Sequence, residues 1–143
     1  MRTDVKRRGW TISAEGNDLA DRFLESVFFT GNGRMGARGY PAYRPIRRPL
    51  DAGLFLAGFY DRISDSTELT DFVNLPTPIW YQIRLNGRIP AIPSHLSRAL
   101  DLRTGLLTFR YRLSIADDWV DVQEQRFFSL AKPSFLFQRL EFQ

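Results

Sequence analysis

The chain has 143 residues, of which 43% are hydrophobic and 25% are charged, which is typical of a single globular domain and excludes a disordered or fibrous protein. It contains no cysteine and one histidine, His95, so disulfide bonds, a cysteine nucleophile and a thiolate- or histidine-rich metal centre are excluded, and we expect neither a metal nor another cofactor. The net charge of +4 comes from scattered arginines rather than a basic block, and no apolar run reaches the roughly 18 residues of a membrane span, so we predict a cytoplasmic protein that binds neither nucleic acid nor membrane.

The first half of the chain contains one predicted helix and one predicted buried strand. Residues 18–28 have a helical pattern with Asp18 as the candidate N-cap. The glycine-rich segment 31–39 is followed by Pro41, Pro45 and Pro49, which are incompatible with the helix that a phosphate-binding loop requires. We therefore interpret this segment as a tight turn that leads into a strand. Residues 53–60 form an apolar run between glycine and aspartate and predict a buried strand.

The second half alternates between apolar and polar residues with a period of two, as strands with one buried face do. Residues 79–85 predict a strand that ends at Asn86-Gly87, the dipeptide most typical of a type I′ hairpin turn. Further strands are predicted over 96–102, 106–113, 119–129 and 135–142. Because turns rather than helices separate them, we predict an all-β fold, an antiparallel sandwich or barrel. The alternation continues to the last residue, so we expect an incomplete sandwich whose open edge favours a homo-oligomer.

Candidates for acid–base chemistry are few. Asp117, Asp118 and Asp121 lie close in sequence, but neighbouring residues of a strand point to opposite faces and cannot easily flank one glycosidic bond. We therefore interpret the three aspartates as part of a solvent-exposed turn rather than as catalytic groups. Aromatic side chains such as Tyr60 and Trp80 could stack on sugar rings, although most aromatic residues of a sandwich belong to its core. The residues alone therefore predict no catalytic site.

A series of short motifs resembles the N-terminal domain of glycoside hydrolase family 65, the family of maltose, trehalose and kojibiose phosphorylases and related hydrolases. The motifs appear in the family's order from Trp10 to Lys132. They are WTI at 10–12, ESVF at 25–28, GNGRMGARG at 31–39, GLFLAGFYD at 53–61, EL at 68–69, VNLP at 73–76, LDLRTGLL at 100–107 and QRFFSLA at 125–131. Arg34 and Met35 stand where the family more often has tyrosine and leucine.

The resemblance implies a β-sandwich of the super-sandwich, galactose mutarotase-like kind, followed in full-length members by an (α/α)6 barrel that carries the catalytic glutamate. Residues 1–143 are then a partial N-terminal domain without that barrel, with no catalytic residue of its own. It implies a scaffold for an enzyme that cleaves α-glucosidic disaccharides by phosphorolysis or hydrolysis, with the barrel, an α-linked disaccharide and a second copy as partners. The residues that we expect to face the barrel or a sugar are Asn32, Arg34, Arg38, Tyr60, Asp61 and Trp80. A stand-alone carbohydrate-binding module is the alternative.

Overall fold

A computed structural model describes residues 4–16, 22–43, 53–62, 70–91, 93 and 95–143. These residues form antiparallel sheets and one short helix, which confirms the predicted all-β sandwich. In chain order the elements are β1 (Val5–Arg8), β2 (Thr11–Gly16), α1 (Arg22–Val27), β3 (Thr30–Gly31), β4 (Met35–Ala37), β5 (Leu54–Leu56), β6 (Tyr60–Arg62), β7 (Thr70–Phe72), β8 (Leu96–Asp101), β9 (Leu106–Ile115), β10 (Asp118–Phe128) and β11 (Leu136–Phe142).

The large sheet has six strands in the order β1-β2-β8-β9-β10-β11, and every neighbouring pair is antiparallel. The strands predicted over 96–102, 106–113, 119–129 and 135–142 are confirmed as β8 to β11. Strand β9 also confirms the predicted period of two, because Arg110 and Arg112 are exposed on one face whereas four apolar side chains of the other face are buried. These are Leu107, Phe109, Tyr111 and Leu113.

Smaller elements cover the inner face of the large sheet. Helix α1 buries Leu24, and Phe28 directly after it is also buried against β8 and β9 in the main core. A second core forms where the three-stranded sheet β3-β4-β5 meets Tyr40, Ile79 and Phe128. The helix predicted over 18–28 is confirmed over Arg22–Val27, and Asp18 lies outside the described residues.

Two predictions about strands in the middle of the chain are wrong. Residues 79–85 form no strand, although Asn86 and Gly87 do turn the chain with φ angles of 48° and 77°. The ladder beyond this turn is limited to a bridge between Leu85 and Arg88, because Pro90 in the returning segment has no N–H to donate. Residues 53–60 are not one buried strand either. Strand β5 ends at Leu56, and Gly58 reverses the chain with a φ of 79° before β6 begins.

The glycine-rich segment 31–39 was interpreted correctly as a turn that leads into a strand. It forms a hairpin in which Thr30 pairs with Ala37 and Gly31 pairs with Gly36. Gly33 lies in the turn with a φ of 84°, a conformation that favours glycine. This hairpin supplies two of the three strands of the small sheet and the floor of the candidate site.

Candidate functional site

An open apolar groove of about 440 Å³ lies on the small sheet. We call it the aromatic groove and define it by Phe29, Phe55 and Phe72 in its walls, Gly31 and Gly36 in its floor and Arg34 beside them. Ring centroids are 6.4 Å apart for Phe29 and Phe55 and 6.0 Å apart for Phe55 and Phe72. Tyr60 continues the row, with its ring centroid 5.1 Å from that of Phe72. Four rings from four separate segments thus form one surface.

The floor of the aromatic groove requires glycine. A Cβ atom on Gly36 would lie 2.6 Å from Cζ of Phe29, and one on Gly31 would lie 2.9 Å from the carbonyl oxygen of Met35. Both distances are too short for a real Cβ contact, so the two glycines allow Phe29 to lie across the hairpin. The rings at the two ends of the row are open, since Phe29 is 43% exposed and Tyr60 is 53% exposed, and Phe72 beside Tyr60 is 58% exposed.

Of the six predicted site residues, Arg34 and Tyr60 lie at the aromatic groove. Asp61 follows Tyr60 in β6, is exposed, and pairs in register with Asp71 of β7. Of the other three, Asn32 lies in the turn of the hairpin and bonds to the turn between β10 and β11, and it is half-buried like Arg38 and Trp80. The structure therefore brings together two of the six on one apolar surface, with Asp61 next to Tyr60 on the same strand.

Asn32 uses its whole amide inside the protein. Its Nδ2 donates to the carbonyl oxygens of Ser129 and Pro133 at 2.7 and 3.0 Å. Its Oδ1 accepts from the backbone N–H groups of Arg34 and Met35 at 3.0 and 2.9 Å. The side chain thus fastens the β3–β4 hairpin to the turn between β10 and β11.

Arg38 directly follows β4, and Trp80 packs against the second core. The carbonyl oxygen of Arg38 accepts a hydrogen bond of 2.8 Å from Nη2 of Arg126. The half-buried Trp80 ring packs edge-on against Tyr40, with centroids 5.9 Å apart. Their contacts support the segment after β4 that passes below the hairpin.

A buried ion pair lies under this segment and was missed by the sequence analysis. Glu124 and Arg126 of β10 are both fully buried, with 3.6 Å between Oε1 and Nη1. Glu124 Oε2 accepts from the Ala42 amide at 2.7 Å, and its Oε1 accepts from Nε2 of Gln138 at 3.1 Å. The sequence contained one signal of this pair, the spacing of two residues between Glu124 and Arg126. Strand alternation places both on the same inward face as Val122 and Phe128, where two charged side chains have to compensate each other.

Burial changes the acid–base properties of this pair. It raises the pKa of the Glu124 carboxyl, while Arg126, the Ala42 amide and Gln138 act in the opposite direction. It likewise lowers the pKa of the Arg126 guanidinium. The guanidinium also lies over two rings, 5.2 Å from the centroid of Tyr40 and 5.1 Å from that of Phe109. Because both side chains are fully buried, a substrate cannot contact the pair. Its hydrogen bonds instead fix the backbone at Ala42 and Arg38.

The clustered aspartates are engaged separately on the surface. Asp118 Oδ2 accepts a hydrogen bond of 2.7 Å from Nδ2 of Asn86. Asp121 accepts two hydrogen bonds from Arg112, which lowers the pKa of the Asp121 carboxyl. Over the described ranges, no three His, Asp or Glu side chains are placed to hold a metal ion. No helix in the same ranges is long and apolar enough to cross a membrane.

Comparisons with known proteins match this chain to carbohydrate-active enzymes. The sequence model described as "Glycosyl hydrolase family 65, N-terminal domain" matches residues 14–143. The trehalose 6-phosphate phosphorylase of Lactococcus lactis subsp. lactis (strain IL1403) is 26% identical over 123 residues, and this match covers 78% of the chain but 16% of the relative. The chain thus corresponds to a small part of the relative's length.

Proposed function

Because the chain belongs to the N-terminal domain family of glycosyl hydrolase family 65, we propose that it is a non-catalytic scaffold in an enzyme that cleaves α-glucosidic disaccharides. In this proposal residues 1–143 form part of the N-terminal sandwich, and phosphorolysis or hydrolysis takes place in a separate catalytic domain. The aromatic groove is the single observation on which the proposal depends, since it is the surface that this domain offers to such a partner.

The composition of the aromatic groove supports a protein partner. Interfaces are enriched in aromatic residues and arginine relative to other surfaces, and the groove combines Phe29, Phe55, Phe72 and Tyr60 with Arg34. A contiguous exposed apolar patch of this kind marks an interaction site. We assign it to the (α/α)6 barrel of the same enzyme, because the relative's sequence extends far beyond the matched domain.

The predicted site residues take two roles in this proposal. Arg34, Tyr60 and Asp61 face the barrel or the rim of its pocket. Asn32, Arg38 and Trp80 hold the hairpin and the segment below it in place. As the resemblance to family 65 implies, the catalytic acid and the attacking group belong to the barrel in this proposal, and they are the two opposed groups that glycoside cleavage requires.

The edge of the large sheet supports the predicted homo-oligomer. Strand β11 is the last strand of the sheet, and its outer side has no pairing strand among the described residues. Phe127 and Phe137 stack near this edge with centroids 5.1 Å apart, and Phe137 is exposed. Unpaired strand edges with apolar side chains favour pairing between chains, so we propose that two copies meet along β11.

Mixing the chain with the separately produced barrel tests the docking role. Size-exclusion chromatography with light scattering is expected to detect a complex, and Phe72→Ser is expected to weaken it about tenfold or more, as loss of an interface aromatic does. Trp10→Ser is the matched control, because Trp10 is 62% exposed but lies at the turn between β1 and β2. The absence of a complex, or equal weakening by both substitutions, would contradict the proposal.

The molar mass of the chain alone, measured by light scattering, tests the proposed dimer. A strict monomer at micromolar concentration would contradict it.

A further inference from the structure

The face of the large sheet that points away from the core contains a polar groove of about 560 Å³, which we call the outer groove. It is defined by His95, Ser97, Arg110, Arg112, Asp121 and Gln123. The strand register places these side chains next to one another, because Ser97 pairs with Arg110, Arg110 with Gln123, and Arg112 with Asp121. The aromatic groove lies on the small sheet, so the proposed docking role does not use this face.

Hydrogen bonds between the lining side chains fix their orientations. Nε of Arg110 donates to Oε1 of Gln123 at 2.8 Å, and Nε2 of Gln123 donates to Oε2 of Glu141 at 2.9 Å. Nε and Nη2 of Arg112 donate to the two carboxylate oxygens of Asp121 at 2.7 and 2.6 Å. Side chains that are already ordered lose less conformational entropy when a ligand binds. The outer groove is therefore prepared for polar recognition.

An exposed aromatic ring adjoins this polar array. Trp119 pairs with Ser114 on the same outward face, next to Arg112 and Asp121. Its ring is 56% exposed, and the Arg112 guanidinium lies 4.1 Å from the ring centroid. The ring is thus oriented by Arg112 and retains free apolar surface, which suits the C–H groups of a pyranose.

The chemical balance of the outer groove favours a neutral ligand with hydroxyl groups. Guanidinium and amide N–H groups donate, whereas the carboxylate of Asp121 and the amide oxygen of Gln123 accept. A sugar hydroxyl both donates and accepts, so it can use both kinds of group. A phosphate is an anion, and the Arg112 charge is already paired with the Asp121 carboxylate, which would repel an anion. We propose that the outer groove binds a neutral carbohydrate through Arg110, Gln123, Asp121 and Trp119.

NMR titration of the full 143-residue chain with maltose, trehalose or glucose tests this site. The chain has three tryptophans, so its indole N–H signals distinguish Trp119 from Trp10 and Trp80. We expect a saturable shift of the Trp119 indole and the Arg110 Nε–H signals, with a dissociation constant of about 1 mM or lower, and no shift for Trp10. Arg110→Ala is expected to weaken binding about tenfold or more, as loss of a charged hydrogen-bonding partner does.

Two further variants keep this test specific. Gln123→Ala is expected to weaken binding like Arg110→Ala, and both are on the surface, so unchanged amide signals of Leu107 and Phe109 show that the fold is intact. Arg84→Ala is the matched control, because Arg84 is exposed and hydrogen-bonds to Gly87 outside the outer groove. An unshifted Trp119 signal, an equal shift of Trp10, or equal weakening by Arg84→Ala would overturn the proposal. An equally strong, Arg110-dependent shift with inorganic phosphate would overturn the assignment to a neutral ligand. Failure of this titration leaves the docking role intact, because that role depends on the other sheet.

Discussion

Glu124 accepts a hydrogen bond from the Ala42 amide, and Arg126 donates one to the carbonyl oxygen of Arg38. Two side chains of β10 therefore hold the backbone on both sides of Tyr40, below the hairpin of the aromatic groove. Each charge is buried and compensated mainly by the other and by these backbone groups. Loss of one partner leaves the remaining charge without compensation in a dry environment, which is more costly than replacing both.

Substitution of this pair tests its structural role. Glu124→Gln is expected to lower the free energy of unfolding by about 3–5 kcal/mol, as the breaking of a buried pair does. The double variant Glu124→Gln/Arg126→Met is expected to lose less than the sum of the two single variants, measured by urea denaturation. Asp121→Asn breaks the exposed pair with Arg112 on the same strand and is expected to change stability little. An equal effect of Glu124→Gln and Asp121→Asn would contradict this role.

At the scale of elements, strands β8 to β11 were predictable because each is 6 to 11 residues long and has a more buried and a more exposed face, the former fully buried in β8 to β10 and half-buried in β11. Strands β3 to β7 have 2 or 3 residues each, too few for a periodic pattern. Their positions depend on contacts with distant segments, of which the Asn32 bonds to Ser129 and Pro133 are the clearest. Such contacts leave no local signal in the sequence.

Substitutions of Asn32 test separately the two hydrogen-bonding roles of its side chain, the Nδ2 donor and the Oδ1 acceptor. Asn32→Ala removes both the donor to the turn before β11 and the acceptor for Arg34 and Met35, so we expect faster hydrogen exchange at those two amides. Asn32→Asp keeps the acceptor and places a negative charge against the Ser129 and Pro133 carbonyls. It is expected to keep the slow exchange and to lose about 1 kcal/mol of stability in urea denaturation, the usual net contribution of a hydrogen bond. If the Arg34 and Met35 amides exchange at the same rate in Asn32→Ala as in the unmodified chain, the hairpin does not depend on the Asn32 side chain.

At the scale of the whole molecule, both grooves combine residues that are far apart in the sequence. Phe29, Phe55 and Phe72 meet through the pairing of several short strands, and Ser97, Arg110 and Gln123 meet through the register of three long ones. Register can be read from the sequence only where a turn fixes it, and the predicted turn at Asn86-Gly87 carries no more than the bridge between Leu85 and Arg88. The family could be predicted from the sequence because its motifs keep their order along the chain, although no single motif is specific.

The proposed role as a non-catalytic support predicts that the chain alone has no glycoside-cleaving activity. Inverting glycoside cleavage needs an acid and an opposed group roughly 6.5–9.5 Å apart around the bond. Among the residues that the structure describes, Asp118 and Asp121 are instead engaged by Asn86 and Arg112 on the surface.

Incubation of the purified 143-residue chain with maltose, trehalose or kojibiose, with and without inorganic phosphate, tests this role. An intact family 65 enzyme serves as the positive control. We predict no glucose or glucose 1-phosphate above the buffer control. Release of either product in proportion to the amount of chain added would contradict the non-catalytic role.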